Sequence, residues 1–339
     1  MEIVSDMPEE IKERRPKDEY KEMLLKLPKV KDSTLGCYYY FYQGFWLLES
    51  MFKGVVSFQQ HFLAHDDDII LASCPKSGTT WLKALTFSIL NRNRFTLKDS
   101  PLLVANPHDL VPVLGHLHDT NFQFEDHENI KPRLFSTHIP YASLPPTIKN
   151  SKCKIVYICR NPMDVFVSAW HFRPKFFDEN IEPENIEEFF DMFCRGIHAY
   201  GPSWDHVLGF WKASLEKPDR VLFLKYEDLK RDNVSCIKKL AEFAGFPFTI
   251  EEEKQGIIEE ISKLCSIEKL KNLEVNKNGR RPVGVPNGAF FRKGEVGDWI
   301  NYLTPSMIEH AEKLMEEKFR DSNLIFELSP YVHKCQGNI

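Results

Sequence analysis

Apolar residues fall along this chain in two rhythms. The first is a short continuous run: Ile69-Ile70-Leu71-Ala72-Ser73 follows Asp68 and stops at Pro75. Similar runs are Arg133-Leu134-Phe135-Ser136-Thr137, Lys154-Ile155-Val156-Tyr157-Ile158-Cys159 and Val221-Leu222-Phe223-Leu224-Lys225-Tyr226. They are nearly continuous rather than alternating, as strands covered on both faces should be. The second rhythm begins at Thr80, where Trp81, Leu82, Leu85 and Ile89 recur every three or four residues and mark a helix face. Helices are also predicted over 187–200, 204–216, 233–244 and 304–319, the last with Pro305 in its first turn. Strands alternating with helices predict an α/β fold: a central, mainly parallel sheet flanked by helices and joined by right-handed crossovers. Ligands then gather at the carboxyl ends of the strands.

Three segments depart from this regularity. Residues 1–35 mix Glu, Lys, Arg and Asp without an apolar stretch, so they read as a solvated, partly helical arm rather than a signal peptide. Residues 36–339 are expected to form one domain, because no repeat, low-complexity run or Ser/Gly linker divides them. Within them, Cys37 to Trp46 (CYYYFYQGFW) is too aromatic to sit wholly in water. Residues 272–292 hold Lys277, Gly279, Arg280, Arg281, Pro282, Gly284, Pro286, Asn287 and Gly288. A long basic loop of this kind in a compact domain is functional or disordered.

Composition narrows the class. With 339 residues, 42% hydrophobic and 27% charged, the chain sits near the soluble globular norm and is not a disordered one. A formal charge of −5 argues against nucleic acid as the main partner. No run is long and apolar enough to span a membrane. The eight cysteines include no CxxC pair, which suits reduced thiols in a cytoplasmic protein. Aromatic residues at 13% suggest a generous core or a pocket for a flat apolar ligand.

The strongest chemical signal is Pro75-Lys76-Ser77-Gly78-Thr79-Thr80-Trp81, between a buried strand and a helix. Such a junction aims free backbone N–H groups and the positive end of the helix dipole at one point, where phosphate or sulfate oxygens bind. Lys76 adds a cation, and the hydroxyls add donors. In a nucleoside triphosphatase loop the lysine follows the second glycine and precedes a Ser or Thr that holds magnesium. Here Lys76 precedes Gly78 and no GKS or GKT follows, so the loop is poorly built for magnesium–ATP and a kinase reading is disfavoured.

PKSGTTW in this setting resembles the cytosolic sulfotransferases, which move a sulfuryl group from 3′-phosphoadenosine 5′-phosphosulfate (PAPS) to a hydroxyl or amine. Two further segments carry the resemblance: Tyr157 to Ser168 (YICRNPMDVFVS) and Phe290 to Trp299 (FFRKGEVGDW). The resemblance implies that Lys76, Ser77, Gly78, Thr79 and Thr80 bind the phosphosulfate, with Trp81 and Tyr226 beside the adenine. It also implies that Arg160, Ser168, Arg292, Lys293 and Gly294 bind the 3′-phosphate. That phosphate carries roughly −1.5 to −2 charges, which the two arginines and the lysine can neutralise.

Among twelve histidines, His138 in Phe135-Ser136-Thr137-His138-Ile139-Pro140 is similar in setting to the family's catalytic histidine. It suits removal of a proton from an acceptor hydroxyl near neutral pH. The expected reaction is in-line displacement, with His138 as base and Lys76 at the leaving oxygen. The family's pattern implies no metal. His116, His118 and Asp119 make only a weak metal signal and read as a surface or acceptor-pocket loop. Trp170-His171-Phe172 and the run Tyr38 to Trp46 are candidate walls of the acceptor pocket, with core packing as the alternative.

Two departures are visible. Ser136 stands where many animal members have a lysine, so Lys76 lacks that helper. Ile300, Thr304, Pro305 and Glu309 replace the family's dimer motif, so a monomer or weak homodimer is expected. These features, with YQGFW and NPHDLVP, resemble the plant branch, whose acceptors include flavonols, brassinosteroids and hydroxyjasmonates. A non-catalytic ligand sensor on the same fold would have lost His138 or Lys76, and both are present.

Overall fold

The computed structural model of the chain describes residues 16–115, 132–177, 185–282 and 284–327. Near its start, helix α1 (Pro16–Leu25) leads into a small antiparallel sheet of β1 (Lys29–Lys31), β2 (Tyr38–Tyr42) and β3 (Phe45–Leu48). Val30 lies opposite Tyr39, and Phe41 opposite Trp46. Part of the segment expected to be a solvated arm is thus folded. Leu24 and Asp32 are buried, and Asp32 forms an ion pair with Arg173.

Helix α2 (Glu49–His61) then leads to the main sheet: β4 (Ile69–Ser73), β5 (Val113–Leu114), β6 (Leu134–Thr137), β7 (Lys154–Cys159) and β8 (Val221–Lys225). All its pairings are parallel, in the spatial order β5-β6-β4-β7-β8. Every residue of β4 is buried, which explains its unbroken apolar sequence. Because strand side chains alternate in direction, the sheet feeds two cores. Ile70, Ala72, Ile155 and Tyr157 join α2, α6 (Pro162–Phe177), α7 (Ile186–Cys194), α8 (Ser203–Glu216) and α15 (Pro305–Phe319). Ile69, Leu71, Val156, Ile158, Leu222 and Leu224 join α3 (Thr79–Asn91), α10 (Asn233–Ala244) and α12 (Ile257–Leu264). This is one mainly parallel α/β domain, as the apolar runs predict.

Register decides where the chemistry falls. Ala72 pairs with Thr137 and Ser73 with Ile158, so β4, β6 and β7 end level. Pro75, His138 and Arg160, each just past a strand, emerge at the same edge.

The shorter elements are α4 (Pro107–Leu110), α5 (Pro146–Asn150), α9 (Tyr226–Arg231), α11 (Ile250–Lys254), α13 (Ile267–Asn272) and α14 (Glu274–Asn278). Two expectations change. The helix expected over 187–200 ends at Cys194, because Gly196 turns the chain at φ +77° with no room for a Cβ beside Pro202. Segment 272–292 is not a bare loop. It carries α14, a 3-10 turn at Asn287–Phe290 and a bridge between Arg280 and Pro286. It is fastened to α4 at two points: Asn106 Nδ2 donates to Asn276 Oδ1 at 2.8 Å, and Arg281 pairs with Asp109.

Candidate active site

After Ser73 the chain makes a tight turn into α3. Ser77 N–H donates to Cys74 O at 3.2 Å, and Leu82 N–H donates to Gly78 O at 3.0 Å. Both Lys76 (φ +72°) and Gly78 (φ +110°) are left-handed. A Cβ at Gly78 would stand 2.8 Å from Tyr226 Cδ2, so only glycine lets α9 close over the loop. The Lys76 conformation costs about 1–3 kcal/mol, strain of the kind that collects at functional sites. It lays Nζ 3.6 Å above the Phe172 ring, with Phe290 at 5.8 Å. Burial, helped by the charges of Arg292, Arg160 and Lys175, lowers the Lys76 amine to about 7. Thr79 Oγ1 lies 2.7 Å from Ser73 Oγ.

His138, the residue after β6, leans on the end of β4. Its Nδ1 lies 2.8 Å from the Ser73 carbonyl oxygen. A carbonyl only accepts, so Nδ1 carries the proton and Nε2 is the basic nitrogen. Behind it, His206 Nε2 donates to His138 O at 2.8 Å and Tyr157 Oη lies 2.9 Å from His206 Nδ1. The Tyr200 ring centre stands 5.5 Å from that of His138. Burial lowers His206 to about 4, so it supports His138 as a neutral ring.

Basic groups fill the opposite end. Arg160 donates to Glu295 O, approaches Asp164 at 3.5 Å and lies 4.6 Å from the Tyr226 ring centre. Tyr226 Oη donates to Gly294 O at 2.9 Å, and Trp81 meets Tyr226 edge-on at 5.4 Å. Arg292 and Lys293 both bind Asp298. Although burial works in the other direction, hydrogen bonds from Lys293, Arg292 and Asn301 hold the Asp298 carboxyl at about 2.

These groups line one cleft of about 770 Å³. It gathers Lys76, Gly78, Thr79, Thr80, Trp81, His138, Arg160, Ser168, Tyr226, Arg292 and Gly294 from the sequence-predicted set. Ser77 is buried beneath the loop, and Lys293 turns to Asp298 instead of lining the cleft. His171 and Phe172 form a wall, whereas Trp170 packs on Tyr302. None of the residues Tyr38 to Trp46 is among the described lining of this cleft. The run forms a hairpin in which Phe45 stacks on Tyr200, one layer behind His138. His116, His118 and Asp119 fall outside the described residues.

Sequence reasoning missed His108 and four lysines in the lining. Lys76, Arg160, Lys175, Lys230, Lys263, Lys271 and Arg292 face one carboxylate, Glu268, an excess that the overall charge of −5 conceals. Among the described residues, Trp81 Nε1, Arg160 Nε and Arg292 Nε, all buried N–H groups of lining residues, find no hydrogen-bond partner. Such donors suit a polyanion with a heterocycle. At the opposite end of β4, His65, Asp67 and Asp68 cluster closely enough to share an ion, but Asp68 is already bound by Arg133 at 2.6 Å.

A sulfotransferase domain model matches residues 66–323. Cytosolic sulfotransferase 15 of Arabidopsis thaliana is 46% identical over 316 residues, covering 92% of this chain and 88% of that protein. Cytosolic sulfotransferase 5 of the same plant is 47% identical over 315 residues, covering 91% and 97%. The crystal structure of an Arabidopsis thaliana putative steroid sulphotransferase superposes with a TM-score of 0.72 at 38% identity, covering 96% of this chain and all of that one. A mouse sulfotransferase complexed with PAP gives 0.66 at 30% identity over 87% and 99%. Among the described residues no helix is long and apolar enough to cross a membrane. By its sequence, its sheet and its matched domain, this chain belongs to the sulfotransferase family and is a sulfuryl-transferring enzyme.

Proposed function

We propose that this sulfotransferase transfers the sulfuryl group of PAPS to a hydroxyl of a small aromatic or sterol-like metabolite, with His138 as the base. The observation that carries this reading is the common anchor at the end of β4. The left-handed loop that presents Lys76 and the carbonyl that orients His138 share Ser73 and its immediate successors. A cation following β4 and a base following β6 are thereby both fixed against the end of β4.

In this reading His138 Nε2 removes the acceptor proton while the acceptor oxygen attacks sulfur in line. Lys76 and the loop N–H groups stabilise charge growing on the bridging oxygen. Phe172 and Phe290 beside Lys76 keep water from its ammonium and so strengthen that interaction. Arg160, Ser168 and Arg292 take the 3′-phosphate, and Trp81 and Tyr226 flank the adenine. Lys293 acts at one remove, by charging Asp298. The PAP held by the mouse relative is the product this reaction leaves. Steroid in the name of the plant neighbour agrees with a flat acceptor. We further propose a cytoplasmic monomer or weak homodimer that needs no metal.

Thermal unfolding with adenosine 3′,5′-bisphosphate, set against ADP with magnesium, tests the co-substrate. At a hundred times its dissociation constant the bisphosphate should add about 2.7 kcal/mol of stability. Stabilisation by ADP with magnesium alone would overturn the reading in favour of a kinase.

A further inference from the structure

His108, in the Asn106-Pro107-His108-Asp109 turn, has no part in the mechanism above, yet it is buried against the sulfate loop. Asn106 caps α4 through the N–H of His108 at 2.9 Å, and Asp109 completes a capping box. Arg281 donates to His108 O at 3.2 Å, and the Phe290 ring lies tilted against the imidazole at 4.4 Å. The backbone is thus fixed by Asn106 and Arg281, and the ring is touched by Phe290 and by two polar groups. One nitrogen, Nε2, lies 3.0 Å from Thr80 Oγ1. The other, Nδ1, lies 3.0 Å from Nζ of the fully buried Lys83, which also donates to Val111 O at 2.8 Å.

An ammonium only donates, so His108 Nδ1 accepts and its proton sits on Nε2. Nε2–H then donates to Thr80 Oγ1, and the Thr80 hydroxyl proton must point elsewhere. Its side chain lines the cleft beside Lys76. Burial, with the charges of Lys83 and Arg281, keeps the imidazole neutral.

We propose that His108 is a positioning residue for the transfer reaction: Lys83 fixes its tautomer, and His108 turns the Thr80 hydroxyl proton toward the phosphosulfate oxygens. The relay Lys83–His108–Thr80 presents the sulfate loop with a donor whose direction is set before the ligand arrives, a preorganised contribution to binding. The ligand in this statement rests on the co-substrate reading above; the tautomer does not.

Two measurements on the intact protein test it. With isotopically labelled histidine, the ring nitrogens of His108 should report a neutral Nε2–H form, and Lys83→Met should move it toward Nδ1–H. An Nδ1–H form in the unaltered chain would overturn the proposal. In calorimetric titrations with adenosine 3′,5′-bisphosphate, Thr80→Val and His108→Ala should each weaken binding about tenfold. The double variant should lose no more than either alone, and His108→Gln, whose amide restores an N–H donor, should recover most of the loss. Additive losses, or a glutamine no better than alanine, would show that His108 only fills space. If the unaltered chain does not bind the bisphosphate, the co-substrate reading fails, and the nitrogen signals still decide the tautomer.

Discussion

At the Lys76 end of the cleft, residues 73–80 supply the turn, the cation and the first helical N–H groups from one unbroken stretch. At the Arg160 end the basic groups come from the residue after β7 and from residues 292–293, far apart in sequence, and two buried carboxylates hold them. Asp164 accepts from Gly297 N–H at 2.9 Å and Trp299 N–H at 3.3 Å while facing Arg160. Asp298 gathers Arg292, Lys293 and Asn301. One end is a local conformation; the other is a tertiary assembly. Damage to the first should stay local and affect every anionic ligand alike. Damage to the second should be selective for whatever reaches between the segments.

The largest expected effect separates chemistry from binding. His138→Ala should lower turnover about a thousandfold. Calorimetric titration should find bisphosphate affinity changed by less than about threefold, since His138 leans on Ser73 O and not on the loop N–H groups. Parallel loss of both would make the histidine structural. Next, Arg160→Ala should weaken adenosine 3′,5′-bisphosphate about a hundredfold and 5′-AMP only slightly, because a lost charge-assisted pair is felt only by the ligand that makes it. Equal weakening of the two nucleotides would erase the distinction between the ends.

Asp298→Asn should have a smaller effect, about tenfold on the bisphosphate, by loosening the clamp on Arg292. It also changes acid stability in a known direction. The Asp298 carboxyl sits at about 2, below its usual 3.8, so the stability it contributes is present above about pH 4 and lost as pH falls toward 2. The asparagine variant should flatten that limb of an acid titration. Gly78→Ala should cost about 1–3 kcal/mol in denaturant unfolding and weaken both nucleotides together. Selective loss would show that the loop discriminates after all. The smallest effect concerns protons. Lys76 is lowered from 10.5 to about 7, so the unfolded chain binds more protons between those values and stability rises with pH across them. An arriving anion raises that amine again. Bisphosphate binding should therefore take up protons above pH 7, detectable as buffer-dependent heat, and affinity should fall as pH rises.

The same contrast explains what the sequence made legible. Buried strands and the loop after β4 announce themselves in consecutive residues, so the sheet and the Lys76 region could be read from apolar runs and residue order. Arg160 and Arg292 could be joined only through resemblance, because nothing local in either segment says that Asp164, beside Arg160, will accept from Gly297 and Trp299 in the other segment. The helices between 250 and 278 escaped because each spans too few turns to establish a period; caps such as Thr249 with Glu252 define them instead. The aromatic run Tyr38 to Trp46 was legible as apolar but not as standing one layer behind the cleft, since hairpin pairing, not composition, decides which layer it occupies. His108 was missed because its partner Lys83 reads as one more surface lysine on a helix, and only the tertiary fold reveals it as wholly buried.

The ion pair between Asp32 and Arg173 has a consequence for where this protein can be cut. Arg173 belongs to α6, the helix that also carries Ser168 and Phe172 into the cleft, and both partners are buried. Removing the carboxylate takes the anionic partner from a buried guanidinium, at a cost of about 3–5 kcal/mol. The portion matched as a sulfotransferase domain starts at residue 66, beyond Asp32. The span matched by the domain model is therefore shorter than the span this ion pair ties together, and a chain trimmed to the former should lose support for its cleft from behind.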